Sequence, residues 1–78
     1  MIHRKSRIIS DPKLLGGKPI IEGTRISVEL VLDLLSSGWT NKQIVDDYSL
    51  KKDDIIACFE YAKDAVKVTR SIPLASQP

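Results

Sequence analysis

The stretch SVELVLDLLSSGWTNKQIV, residues 27–45, predicts two helices separated by a very short turn. Ser27 can cap the free amides of the first helix, and the apolar residues after it recur three and four positions apart, as on one helical face. Gly38 suits the left-handed position that ends a helix. Thr40 and Gln43 then stand three residues apart, which is the capping-box pattern of a second helix. The turn between the helices is therefore confined to Gly38 and Trp39.

Residues 51–67 predict a third helix. Ile55, Phe59, Ala62 and Val66 recur there at i, i+4, i+7 and i+11, and we expect them to form its buried stripe. Short turns at residues 38–40 and 49–50 would join the helices into a trihelical bundle. The second and third helices would then form a helix-turn-helix pair, with the third in the position of a DNA-recognition helix.

The N-terminal third of the chain is expected to be extended. Ile8-Ile9 is a short β-like run, and Leu15-Gly16-Gly17-Lys18-Pro19 predicts a turn in which the glycines can take positive φ. Residues 19–21 and 24–26 flank Glu22-Gly23, which predicts a tight turn between two strands. The predicted fold is thus mainly α, a three-helix helix-turn-helix bundle with a short N-terminal β-hairpin. It divides into a basic arm (residues 1–7), the domain (8–67) and a tail without periodicity (68–78).

The size of the chain limits what it can do alone. Its 78 residues suffice for one domain with a small core, which is of marginal stability without a disulfide, a metal or a partner. The single cysteine, Cys58, excludes an internal disulfide and fits a reducing cytoplasm. Charged residues and serines interrupt the apolar stretches, so neither a signal peptide nor a membrane span is predicted. We therefore expect a cytoplasmic protein that is stabilised as a dimer or heteromer.

Charge is unevenly distributed along the chain. Residues 1–25 hold six bases and two acids, a balance of +4, whereas residues 26–66 hold four bases and eight acids, a balance of −4. Lys67 and Arg70 add two positive charges near the C-terminus, so the three parts sum to the net charge of +2. DNA-reading proteins concentrate bases on the docking face, so the acidic middle favours a protein partner over DNA there.

Candidate catalytic and metal-binding patterns are weak. Gly16-Gly17-Lys18 lacks the strand, second glycine and hydroxyl residue of a phosphate-binding loop and is interpreted as a plain turn. Adjacent acids, as in Asp46-Asp47 and Asp53-Asp54, point about 100° apart on a helix and do not converge on one ion. His3 stands alone, and Cys58 is expected to pack as a small hydrophobe. Trp39 is expected either to pack at the helix junction or to anchor a protein interface. The sequence therefore predicts a binding protein and no enzyme, with no cofactor, metal or small-molecule substrate.

Several short motifs spread over residues 7–66 occur together: Asp11-Pro12, Gly16-Gly17-Lys18-Pro19-Ile20, Gly23-Thr24-Arg25-Ile26, Val28, Gly38, Ile44, Tyr48, Leu50, Asp54-Ile55 and Tyr61-Ala62. Their joint spacing resembles the domain-of-unknown-function family 433, VapB-like antitoxins that are often encoded beside a PIN-like nuclease toxin. The resemblance implies a homeodomain-like trihelical fold, commonly dimeric, that sequesters a toxin and represses its own promoter. One position departs from the family: Lys51 replaces the usual threonine or serine, so the third helix loses its hydroxyl cap, at a cost of about 1 kcal/mol unless another group replaces it.

Together with the resemblance, these patterns predict a type II antitoxin. It would bind and inhibit a PIN-like toxin and would also bind its own operator DNA as a homodimer. Candidate DNA contacts are the cations of the arm, of the turn after Glu22 and of the starts of the second and third helices: Arg4, Lys5, Arg7, Arg25, Lys42, Lys51 and Lys52. Candidate toxin contacts are Lys67, Arg70, Ile72 and Leu74, whose cations would approach the toxin's metal-binding carboxylates.

Other interpretations of the same residues stay open at this point. The cations are equally consistent with a solvated surface and, at Arg25, with a bond inside the fold. A protein-interaction adaptor of helix-turn-helix shape that does not touch DNA is one alternative function. A stand-alone transcription regulator, without a nuclease partner, is another.

Overall fold

A computed structural model describes residues 3–5 and 7–68 of the chain. Within those residues lie three short strands, β1 (His3–Lys5), β2 (Ile8–Ser10) and β3 (Ile20–Ile21). The strands precede the helices α1 (Val28–Ser36), α2 (Asn41–Tyr48) and α3 (Lys52–Val68). The mainly helical class, with a trihelical unit behind an N-terminal antiparallel hairpin, is confirmed. The predictions for residues 69–78 concern a part of the chain outside the described residues.

The strands form one small antiparallel sheet in the order β1-β2-β3. Ile8 pairs with Ile21 and Ile9 with Ile20, so the β-like run at Ile8-Ile9 takes the centre of the sheet. Residues 3–5, expected in the basic arm, form the edge strand next to it. Two short ladders thus join residues 3–5 and 8–10 to the segment that leads into α1.

The predicted strand at residues 24–26 is not present, and this expectation was wrong. The Thr24 hydroxyl donates to the Ile21 carbonyl (2.8 Å) and accepts from the Ile26 amide (3.0 Å). A side chain therefore bonds the backbone groups that a ladder would use. What remains of the expected pairing is the Ile21 amide bonded to the Ile26 carbonyl (2.9 Å) and an isolated bridge between Ile20 and Ser27.

The helix ends form as the local sequence predicts. Ser27 caps α1 by accepting from the Leu30 amide (3.0 Å). Beyond the last turn Gly38 takes φ +101°, and the Trp39 amide bonds back to the Leu34 carbonyl (3.1 Å), which is a Schellman termination. Thr40 and Gln43 form both halves of the capping box at α2. These local bonds fix the short junction between α1 and α2.

The core lies where the helices meet the sheet. The largest fully buried side chains are Ile20, Ile21, Val31, Ile44, Ile55 and Cys58. Cys58 is therefore packed as a small hydrophobe, as expected. Trp39 is half-buried against this core, with its ring 6.1 Å from that of Tyr48, which agrees with a packing role at the junction.

The buried stripe of α3 differs from the predicted one. Ile55 is buried, but Phe59 is 46% exposed and Val66 is 65% exposed, so the prediction was wrong for these two. The face that enters the core instead carries Ala57 and Cys58, small side chains that let the neighbouring elements approach closely. Because α3 has apolar residues on more than one side, its periodicity alone did not select the buried face.

Candidate functional site

The start of α3 is anchored by a carboxylate that points inward. Asp54 is only 8% exposed and accepts a hydrogen bond from the Lys51 amide (2.9 Å). Its other oxygen, Oδ1, lies 3.4 Å from Nε of Arg7, next to the sheet. Asp54 thus satisfies an amide at the start of α3, where the sequence lacks a hydroxyl cap. The same carboxylate also ties the helix to the strand region and so fixes which face of α3 points outward.

The outward face of α3 is unusually apolar. Ile56 (45% exposed), Phe59 (46%) and Val66 (65%) lie on it, together with the exposed Lys63. We call these four residues the α3 seam. Their spacing of three, four and three positions is the heptad spacing of a helix that packs along another helix. A DNA-reading helix would present polar and cationic groups on this side, and the composition of the seam differs from that pattern.

A groove runs beside the seam, between α1 and the C-terminal half of α3. It has a volume of about 530 Å³ and is lined by Pro19, Val28, Glu29, Leu32, Asp33, Tyr61, Ala62, Ala65 and Val66. We call it the α1–α3 groove. Most of its lining is apolar, while Glu29 and Asp33 of α1 place carboxylates there, and Glu29 binds Lys18 at 3.0 Å. The groove and the seam meet at Val66.

The predicted DNA-binding residues are distributed over several elements. The Arg7 guanidinium lies beside Asp54, and Lys42 Nζ donates to Asp46 at 2.8 Å, an exposed contact whose hydrogen bond and charge raise the pKa of Lys42. Arg25, Lys51 and Lys52 are exposed. Arg4 and Lys5 belong to β1, and their side chains lie outside the described part of the structure. Two of the predicted cations therefore already face a carboxylate of the same chain.

The predicted toxin-binding residues fall mostly beyond the described structure. Lys67 is exposed in the last turn of α3, directly after Val66 of the groove. Arg70, Ile72 and Leu74 lie outside the described residues. Lys67 is therefore the member of this set that can be placed, and it stands at the C-terminal end of both the seam and the groove.

Chemical reactivity is limited in the residues described. Burial raises the pKa of the Cys58 thiol to about 11, with a smaller contribution from the charge of Asp54. The thiol is thus neutral and enclosed, which disfavours nucleophilic chemistry. Among residues 3–5 and 7–68, no cluster of three or more histidine, cysteine or acidic side chains could hold a metal ion. No helix in the same residues is both long and apolar enough to cross a membrane.

Neither the α3 seam nor the role of Asp54 at the start of α3 was predicted from the sequence. The 3-4-3 spacing of the seam is visible in the sequence, but the four-residue spacing from Ile55 to Phe59 competes with it and was assigned to the core. The sequence pattern singles out Asp54 only as the neighbour of Asp53, in a pair of acids that does not converge on one ion. Its position three residues after Lys51 was the available signal, since a carboxylate at that place can bond back to the first amide of a helix.

Comparison with known proteins gives one match. A family model described as "Protein of unknown function (DUF433)" matches residues 8–62, which is more than half of the chain. No curated protein and no solved structure matches the chain.

Proposed function

The chain belongs to the DUF433 family of proteins of unknown function, and from that premise we propose that it is a protein-binding module, the antitoxin of a toxin–antitoxin pair. Its partner in this proposal is a PIN-like nuclease. The observation that carries the proposal is the apolar outer surface formed by the α3 seam and the α1–α3 groove. The proposed activity is inhibition by binding, with no chemical step in this chain.

Exposed apolar surface of this kind supports a protein partner. Single exposed apolar residues are ordinary, but contiguous ones on a small domain mark contact sites. Phe59 is the largest of them, and aromatic anchors contribute strongly to binding between proteins. The seam occupies the part of α3 that would enter a DNA groove in a helix-turn-helix protein, which favours protein binding at that face.

We assign the nuclease to the α1–α3 groove and the adjoining end of α3. Leu32, Tyr61 and Ala62 offer an apolar bed for a helix or an extended segment of the partner. Lys67, exposed in the last turn of α3 directly after Val66, supplies a cation that would approach the metal-binding carboxylates of the toxin. Arg70, Ile72 and Leu74 of the following tail would extend the contact.

An inhibition assay tests this assignment. The full chain is titrated into a PIN-like nuclease encoded in the adjacent reading frame, and cleavage of an RNA substrate is followed. Ala65→Arg places a bulky charged side chain in the groove without removing core volume, since Ala65 is exposed. We expect it to weaken inhibition about tenfold or more.

Asn41→Arg is the matched control, because it adds the same charge at an exposed position on α2. Inhibition should be unchanged by this variant. If the wild type and Ala65→Arg inhibit the nuclease equally, the nuclease does not bind in the α1–α3 groove. If the adjacent reading frame encodes no PIN-like protein, the proposal that the partner is a PIN-like toxin is refuted.

Binding of operator DNA is a second candidate function. It is favoured by the exposure of Lys51 and Lys52 at the start of α3, near a helix N-terminus that can approach phosphates, and by the exposure of Arg25. The carboxylates beside Arg7 and Lys42 weigh against it. A titration on the upstream DNA at two salt concentrations decides: a DNA-binding antitoxin loses affinity steeply with salt, whereas an adaptor that binds only protein gives no complex.

A further inference from the structure

We propose that residues 69–78, the C-terminal segment of the chain, fold back onto the α1–α3 groove, and that Ile72-Pro73-Leu74 occupies the groove in the free protein. The segment follows directly after the described part of the structure. This docking involves one chain alone and does not rest on the antitoxin function. It rests on the position at which α3 ends, on the composition of the segment and on the charges at the groove.

The position at which α3 ends places the segment next to the groove. The helix ends at Val68, two residues after Val66 of the groove lining, and ten residues follow it in the sequence. The lining on α3 runs back from Val66 to Tyr61, which is about 8 Å along the helix axis. Ile72 stands four residues after Val68, and extended chain covers about 3.3 Å per residue. The segment is therefore long enough to reverse direction and lie in the groove.

The composition of the segment suits an apolar groove. Ile72, Pro73 and Leu74 are three consecutive apolar residues. The groove offers them apolar walls that include Leu32 and Ala62, in a volume of about 530 Å³. A proline disfavours helical backbone at the residue before it, so the sequence predicts extended chain here, which can lie lengthwise in a groove. Removal of these side chains from water would offset the cost of ordering the segment.

The charges at the groove favour this segment as its occupant. Glu29 and Asp33 place carboxylates at the groove, and Arg70 is the only charged side chain among residues 69–78. Because Glu29 already binds Lys18 at 3.0 Å, Asp33 is the carboxylate that Arg70 would approach. The α3 seam, the other apolar surface of the helix, carries Lys63 and would repel Arg70. Charge thus directs the segment to the groove and away from the seam.

The docked segment would be the first of two occupants of the groove. In the free chain it shields the apolar lining from water and from unrelated proteins. The nuclease would then displace it, after which Arg70, Ile72 and Leu74 become available for contact with the nuclease. This exchange, unlike the docking itself, rests on the proposed function.

Nuclear magnetic resonance of the isotope-labelled full chain, with no nuclease present, tests the docking. The Leu74 amide should have an order parameter above about 0.6 in the wild type and below that value in Ala65→Arg, which fills the groove. Leu74→Asp should shift the amide resonances of Leu32 and Tyr61. Gln77→Asp is the matched control, because it adds the same charge beyond the apolar residues, and it should leave those resonances unchanged. Circular dichroism confirms that each variant is folded.

Disulfide cross-linking shows which chain supplies the segment. Under mild oxidation, Ala65→Cys combined with Leu74→Cys should form a disulfide within one chain about tenfold faster than Asp47→Cys combined with Leu74→Cys. The control position lies exposed on α2, and the native Cys58 is buried and takes no part.

Four results would each overturn the proposal. They are a wild-type Leu74 order parameter below about 0.6, groove resonances that Leu74→Asp leaves unchanged, equal cross-linking rates for the two cysteine pairs, and cross-links that form only between chains. Since no nuclease enters these measurements, a failure of the docking and a failure of the proposed function are separate results.

Discussion

Replacement of Asp54 by alanine is the sharpest test of how α3 is held. The carboxylate bonds the Lys51 amide at the start of the helix and lies 3.4 Å from Nε of Arg7. Loss of a cap-type bond costs about 1 kcal/mol. The ion pair adds at most about 1 kcal/mol, because the Arg7 side chain is 39% exposed and solvent screens the pair. Asp54→Ala should therefore lower the free energy of unfolding by about 2 kcal/mol, or the melting temperature by roughly 8 to 16 °C.

Asp53→Ala is the control, because it removes the same charge from the first turn of α3 at an exposed position. We expect a change within about 0.5 kcal/mol for this variant. Urea unfolding followed by Trp39 fluorescence and by circular dichroism measures both, at one fixed protein concentration, since any dimer would shift the midpoint. Asp54→Ala and Asp53→Ala of equal stability would refute the anchoring role of Asp54.

The remaining predictions concern the core and a helix end. Because the pKa of Cys58 is raised from 9.0 to about 11 in the folded chain, its contribution to stability is complete below pH 9 and is lost as the pH rises towards 11. Over that range the wild type should lose about 2 to 3 kcal/mol more than Cys58→Ala; parallel pH profiles would contradict this. Cys58 should also resist thiol reagents at pH 7 until the chain unfolds, and rapid labelling of the native protein would show that the thiol is accessible. Gly38→Ala should cost about 1 to 2 kcal/mol, since φ +101° strains any residue with a Cβ, and an unchanged urea midpoint would argue against the Schellman ending.

Local sequence signals predicted the helices because their ends depend on bonds between near neighbours. Ser27, Gly38 and the pair Thr40 and Gln43 act within a few residues of their own positions, so the structure repeats what the sequence indicates. The face of α3 that becomes buried was harder to predict. Phe59 and Ile55 suit a core equally well, and the sheet and the other helices decide which of them is covered.

The candidate site was predicted least well, and the reason is physical. An exposed apolar side chain and a buried one carry the same sequence signature, so the sequence pattern assigns Phe59 and Val66 to the core. The role of Asp54 depends on Arg7, which is far away in sequence and is brought close by folding. Lysines and arginines were assigned to DNA because they are basic, whereas Lys42 and Arg7 find carboxylates within the chain.

The central claim, that the outer surface of α3 and the α1–α3 groove bind protein, is tested most directly by mapping the contact. Backbone amide shifts of the isotope-labelled full chain are recorded while the unlabelled PIN-like nuclease is added. We expect the largest changes at Leu32, Tyr61 and Ala65 and at the end of α3, with α2 little affected. Changes concentrated on α2 or around Arg25, or no changes at saturating nuclease, would contradict it.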